Sequence, residues 1–402
     1  MRLPTPGRPH LTYCTNIHRG ESWPEVRANV ATHVTAVKAR VAPDRPFGVG
    51  LRLSGAAAAA LAQPDELAAF HALLAERGLY VFTINGFPYG AFHGTAVKEA
   101  VYRPDWREDA RLAYTDQLAR ILADLLPTGC EGSISTVPGA YKERIASPRD
   151  VDAIADRFVA HVATLHDLRE RRGVTIALAL EPEPCCQLET VSETVGFFEE
   201  HLWRRTVPGL DRRTSAEALR RHLGVCFDAC HMAVEHEPVA AALATFAAHG
   251  IRVVKVQVSA GLAATLAAAD DVAALRAFAD DVYLHQVVER TAAGLRRWSD
   301  LPAALEEAAR EPRRREWRIH FHVPLFRERL GRFLSTQRYV RELLAVVARQ
   351  AVSQHLEIET YTWDVLPAEY RSEGVTNAIV REIEWVVAEI ARPAEGAPPA
   401  RT

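Results

Sequence analysis

Asp228 and His231 stand three residues apart in CFDACHMAVEHE (226–237), where an apolar run gives way to a helical one. A carboxylate and an imidazole one turn apart either cap a helix or hold something that needs both oxygen and nitrogen. Asp is a favoured N-cap, so the pair alone does not decide. Similar pairs recur: Glu181 and Glu183 in LEPEP, Lys255 and Gln257 in VVKVQV, His320 and His322 in HFHV, Glu357 and Glu359 in LEIETY. Alternation puts both members of each of the last three pairs on one face of a strand. Carboxylates gathered beside imidazoles suit a divalent cation. Oxygen ligands alone favour Mg²⁺, and added imidazole moves the preference towards Mn²⁺, Co²⁺ or Zn²⁺. Without an ion, carboxylates converging in a low dielectric raise one another's pKa.

The elements that must bring these residues together are short β-branched runs alternating with longer amphipathic stretches. Strands are predicted at 11–16, 47–53, 79–85, 132–136, 174–181, 223–228, 252–258 and 355–361, with helices such as 24–42, 64–77, 107–125, 149–171, 187–204, 237–248 and 334–351 between them. Eight such units predict an α/β (β/α)₈ TIM barrel. A dinucleotide-binding sheet is the competitor, and no GxGxxG follows an early strand. Residues 1–392 read as a single barrel domain and 393–402, PAEGAPPART, as a disordered Pro/Gly/Ala-rich tail. The interval after the seventh strand is too long for an ordinary connection. Residues 259–333 are read as an insertion at the barrel mouth, with 282–289 and 317–323 as its extended segments.

Polar residues at the C-terminal ends of barrel strands converge on one site. That rule selects Asn16 and His18, Arg52, Asn85 and His93, and Gln257 as substrate-binding candidates. It gathers carboxylates from strands five, six and eight, Glu181 and Glu183, Asp228, and Glu357 and Glu359, as a divalent-cation site, with His231 and Lys255 close by. Each has a plainer alternative: Asp228 as a cap, His231 as a packed imidazole, His320 and His322 on a solvent-exposed edge. Lysine is rare in this chain, occurring at 38, 98, 142 and 255, and Lys255 lies amid valines.

The formal net charge of −3 supplies no field for nucleic acid or an anionic membrane. No apolar run reaches the roughly 18–20 residues of a membrane helix. The six cysteines show no CxxC spacing and read as buried thiols. These features predict a soluble, cytoplasmic protein without nucleic-acid partners or membrane insertion.

LEPEP, FDACH, KVQVS, HFHVP and LEIETYTW together resemble the xylose-isomerase-like TIM-barrel superfamily of sugar-phosphate isomerases, epimerases and endonuclease-IV-type enzymes. TYCTNIHRGESWPEV, FPYGAFHGTAVKEAVYRPDW, GSISTVPGAYK and ETYTWDVLP resemble the EboE family of metabolite traffic proteins, encoded in ebo clusters beside a prenyltransferase and a cyclase-like enzyme. The superfamily resemblance implies a metal held by Glu181, Asp228 and Glu359. Its strand-seven histidine falls at Gln257, and His322 is the substitute nitrogen. It further implies an isomerase or epimerase that moves a proton through an enediolate on a sugar, sugar phosphate or cyclitol. Glu181 and Glu359 would carry the proton, and Lys255 or His231 would steady the oxyanion. The EboE resemblance implies secondary-metabolite biosynthesis or traffic, association with other ebo-cluster proteins, and the alternative of a barrel that only binds and hands over a metabolite. Metal-dependent phosphodiester cleavage is a third reading, for which Arg-rich 313–318 offers a local basic patch.

Overall fold

The computed structural model describes residues 1–94, 96–371 and 373–392. Strands β1 (His10–Tyr13), β2 (Phe47–Arg52), β3 (Leu79–Asn85), β4 (Gly132–Thr136), β5 (Ile176–Leu180), β6 (Leu223–Asp228) and β7 (Val253–Val258) alternate with helices. After an insertion containing β8 (Leu262–Leu266), β9 (Val287–Thr291), β10 (Gly294–Trp298), β11 (Arg315–Ile319), β12 (Arg329–Leu330) and β13 (Phe333–Ser335), the barrel resumes with β14 (His355–Ile358). The eight barrel strands are parallel, in the order β1-β14-β7-β6-β5-β4-β3-β2. This is the TIM barrel that the alternation predicts. Strands such as β2 and β4 are buried along their whole length, as expected where helices cover one face and the barrel interior the other.

The seam between β1 and β2 is closed by a single parallel bridge, Cys14 to Gly50. Thr12 Oγ1 donates to Gly48 O at 2.6 Å, and Arg52 N donates to Thr15 Oγ1 at 2.9 Å. Gly50 is required there for space. A Cβ on it would lie 1.9 Å from Glu357 Oε2 and 2.6 Å from Tyr13 O. The absent side chain leaves the room that the Glu357 carboxylate takes in the barrel interior.

The inserted strands form a six-stranded sheet of their own, β10-β9-β11-β8-β13-β12, with antiparallel pairing throughout. Two expected segments change here. Residues 282–286 are not strand, because their backbone is satisfied elsewhere. Val282 O accepts from Val97 N and Lys98 N, while Val282 N and His285 N donate to Asp280 Oδ1 and Asp300 Oδ1. The 317–323 run ends as strand at Ile319, where Phe321 N turns back onto Ile319 O. His320 and His322 thus sit beyond the strand, and both are buried rather than on an exposed edge. Helices Arg212–His222, Leu301–Arg310 and Val375–Ala391 lie outside the predicted set. The strand runs at 11–16 and 355–361 are shorter than expected, since Thr15–Ile17 and Tyr361–Asp364 curl into 3₁₀ turns at the barrel mouth.

All six cysteines are free. Among the described residues no helix is long and apolar enough to cross a membrane. Residues 393–402, expected to be a disordered tail, lie outside the described residues.

Candidate metal centre

Asp228 ends β6 and caps the helix Ala229–Val234 that carries His231. Its two oxygens divide the work. Oδ1 accepts from His231 N at 2.9 Å and from Ser259 Oγ at 2.8 Å, while Oδ2 is buried and makes no hydrogen bond. The cap and the ligand readings of this residue are therefore compatible. Glu181 follows β5 and leaves Oε2 buried without a partner. Glu359 follows β14, and its Oε1 accepts from Asn16 Nδ2 at 2.8 Å and Asn85 Nδ2 at 2.9 Å. Ligand oxygens of Glu181, Asp228 and Glu359 lie within 4.8 Å of one another, and all three residues are buried. Burial, then mutual repulsion, pushes the Glu181 and Glu359 carboxyls well above the ordinary carboxylate range.

A second donor set shares Asp228. His231, His320 and His322 aim their Nε2 atoms at one another, with 3.1 Å between His231 and His320 and 3.3 Å between His320 and His322. Each Nδ1 faces a group that can only accept: Pro182 O at 3.0 Å for His231, Gln286 Oε1 at 2.7 Å for His320, Glu359 O at 2.8 Å for His322. The Gln286 amide is turned this way because its Nε2 donates to Tyr102 OH at 2.8 Å, which in turn donates to Glu183 Oε1 at 2.7 Å. Each Nδ1 therefore carries the proton, and three Nε2 lone pairs face a common region. Burial keeps two of these imidazoles neutral, holding His322 down to about 4 and His320 well below the usual histidine value. The Tyr361 hydroxyl, 3.3 Å from His320 Nε2, can donate to one of these lone pairs, and a cation among them would relieve the repulsion of all three. Asp228, His231 and His322 form one set of ligand atoms within 4.8 Å, and Glu183, His231 and His320 form another.

The residues present fit a divalent ion. Glu181, Asp228 and Glu359 offer hard oxygens, and His322 meets them through Asp228 rather than joining all three. Above them opens a small pocket of about 60 Å³, with Asn16, Asn85, Glu181 and Glu359 among its polar lining. Its outer wall is aromatic: Phe92, Tyr283 and Tyr361 rings lie 5.1–5.3 Å apart, centre to centre.

The other candidates are placed differently. Arg52 is committed to Glu21 Oε2 at 2.6 Å and Gly90 O at 2.6 Å, and so fastens two mouth loops together. His93 faces Glu21 Oε1 at 3.6 Å. His18 bonds Tyr13 OH at 2.9 Å and stacks on His33. None of the three lines the pocket. Gln257 is fully buried in register with Asp228 and Glu357, and neither amide atom has a hydrogen-bond partner. Neither residue expected to steady an oxyanion is set up to do so. His231 turns a lone pair inward, and Lys255 Nζ is held 2.6 Å from Glu357 Oε1 in the barrel interior. Strand alternation identified Lys255 as interior but could not tell a site from an internal ion pair. Gln286, Tyr102, Tyr361 and Ser259 escaped the sequence reading, because they come from loops and short 3₁₀ turns that strand and helix periodicity does not report. Only the closeness of Tyr361 to Glu359 in ETYTW hinted at one of them.

Residues 48–268 match the model of the family described as xylose isomerase-like TIM barrel, more than half of the chain. The chain belongs to that family. Among solved structures it is similar to a xylose isomerase domain protein from Planctomyces limnophilus, at 14% identity and a TM-score of 0.50, covering 96% of this chain and 98% of that one. It is also similar to the 3-keto-D-glucoside 4-epimerase YcjR from E. coli (14% identity, TM-score 0.45, 94% and 99% covered). A third is the IOLI protein with a bound zinc atom (11%, 0.44, 95% and 97%). At these identities the likeness concerns the fold of the family alone. No curated protein matches the sequence.

Proposed function

We propose that this member of the family is a metal-dependent isomerase or epimerase acting on a sugar, sugar phosphate or cyclitol by proton transfer through an enediolate. The observation that carries this reading is the convergence of Glu181, Asp228 and Glu359, from the ends of β5, β6 and β14, with ligand oxygens within 4.8 Å of one another. Glu181, Asp228, His322 and Glu359 would hold a divalent ion, with His231 and His320 extending the nitrogen side. When bound, such an ion supplies Lewis acidity, polarising a substrate carbonyl and so acidifying the neighbouring C–H. Glu181, with an uncommitted Oε2, takes the proton from carbon. Glu359 is oriented by two asparagine amides and returns a proton to the other face or the adjacent carbon. In epimerisation the C–H bond broken and the C–H bond formed balance; in isomerisation the hydroxyl proton also passes to the former carbonyl oxygen, and neither needs an oxidant. Asn16 keeps Oδ1 free to accept a substrate hydroxyl. The aromatic outer wall excludes water from the reacting face.

The same reading extends to the EboE resemblance, which places such a barrel in secondary-metabolite biosynthesis or traffic alongside other ebo-cluster proteins. A barrel that binds and hands over a metabolite without turnover is the second reading, and Gln257 favours it. An amide stands where the superfamily resemblance implies an imidazole. Phosphodiester cleavage is less well supported. The described pocket lining contains one cation, Lys98, which is tied to Asp300 Oδ2 at 2.7 Å and to two carbonyls.

Incubation of the Mn²⁺-loaded protein with ketoses and inososes in D₂O tests the proposal. We expect deuterium at carbon in at least one of them, read by mass spectrometry. Substrate binding without any carbon-bound deuterium would favour the carrier reading instead.

A further inference from the structure

The solvent face of the inserted sheet carries a second, unrelated site. Arg318 on β11 lies opposite Val288 on β9 and Ala263 on β8; Ala263 lies opposite Leu334 on β13, and Leu334 opposite Arg329 on β12. Residues directly opposed across antiparallel strands project to the same side, so these five form one row across the sheet. Arg290, two residues beyond Val288, projects to that side as well. The small Ala263 in the middle leaves a hollow of about 270 Å³, walled by Arg290, Arg318, Arg329 and Arg332, with His236 at its edge.

The charges in this hollow are not balanced. Glu316 on its wall is taken by Arg314 at 3.1 Å, and Arg332 is taken by Asp271 at 2.9 Å. Among the described residues no carboxylate comes within ion-pair distance of Arg290, Arg318 or Arg329. Arg318 is half-buried and donates to the carbonyl of Ala233, an uncharged partner. Both ring nitrogens of His236 are buried without a well-formed hydrogen bond, and its backbone is held at φ 58°. The rest of the Arg-rich 313–318 run does not explain the surplus. Arg313 and Arg315 pair with Glu289, which is buried. Three guanidiniums facing one hollow repel one another and gain most from an oxyanion that accepts several forked N–H donors. A lone carboxylate would leave two of them uncompensated, whereas a phosphate monoester or a diphosphate carries enough charge.

We propose that this hollow, outside the barrel mouth, is a binding site for a phosphoryl group, engaged by Arg290, Arg318 and Arg329. Pyrophosphate is the probe, titrated calorimetrically into the metal-free full-length protein at physiological salt. One saturable site is expected. Arg290→Ala and Arg329→Ala, both at exposed positions, should each weaken it at least about tenfold, and the double variant should abolish it. Asp228→Asn, which alters the barrel mouth, should titrate as the wild type does. Unchanged melting curves would show that the arginine variants remain folded. Flotation with phosphatidylglycerol vesicles separates two sources of the same chemistry. Vesicle binding lost in the double variant assigns the phosphate to a lipid surface, and pyrophosphate binding without vesicle binding assigns it to a soluble ligand. No saturable heat, binding that survives the double variant, or binding lost in Asp228→Asn would overturn the site.

Discussion

Replacing Lys255 with methionine is expected to destabilise the protein by about 3–5 kcal/mol, the usual cost of stranding one member of a buried ion pair. Lys255 and Glu357 are both fully inaccessible, and Nζ lies 2.6 Å from Oε1. The contact is an ion pair rather than a well-directed hydrogen bond, since neither Glu357 oxygen has a hydrogen-bond partner of good geometry. Burial alone would lower the ammonium's pKa. The Glu357 carboxylate more than offsets this and moves it above the ordinary lysine range. A base whose folded pKa is raised contributes its stability fully below the unfolded value. That contribution is lost only as pH climbs through the folded one. The lysine's titration should therefore leave this contribution constant through neutral pH and erode it in strong alkali. Urea unfolding of Lys255→Met beside Lys255→Met/Glu357→Leu checks the cause. The double variant, which leaves no orphaned charge, should recover much of the loss. A single variant within 1 kcal/mol of wild type would show that Glu357 finds another partner.

Glu181→Gln should lower the rate of deuterium incorporation by about 10²–10⁴-fold, the usual loss when a positioned acid–base group is removed. The glutamine keeps the size and the β5 placement while removing the only atom in that position able to take a proton. Asn16→Ala tests the partner side. It deprives Glu359 of one of its two amide donors while Asn85 remains, so a smaller reduction is expected. Exchange at the wild-type rate in Glu181→Gln would reassign the proton acceptor.

How much of this was legible in the sequence differs residue by residue. Strands 79–85, 132–136 and 223–228 coincide with β3, β4 and β6, because a strand buried on both faces is a short apolar run bounded by turn residues. Placing Glu181, Asp228 and the Glu357/Glu359 pair at strand ends followed from that count, and the family resemblance singled out Glu359. Three things did not follow. The two strand ends at 11–16 and 355–361 curl early, since local 3₁₀ bonds replace ladder bonds where the barrel opens. Arg52 and His93 have the residue types of a binding site but are spent on Glu21, a loop residue whose position no periodicity reports. The imidazole cluster depended on Gln286 fixing the tautomer of His320, a contact across 34 residues of insertion. Asp228 was ambiguous between cap and ligand because one residue name stands for two oxygens, and each oxygen serves one of those ends.

The claim on which the rest depends is that Glu181, Asp228, Glu359 and the inward-facing imidazoles hold a divalent cation. Elemental analysis after exposure to Mn²⁺, Co²⁺, Zn²⁺ or Mg²⁺ and removal of free ion tests it directly. At least one equivalent of metal per chain is expected in the wild type, falling to a small fraction in Asp228→Asn, since Asp228 belongs to both the carboxylate and the imidazole sets. A wild-type protein that takes up none of the four ions in stoichiometric amount, or an Asp228→Asn variant that keeps the full complement, would contradict it.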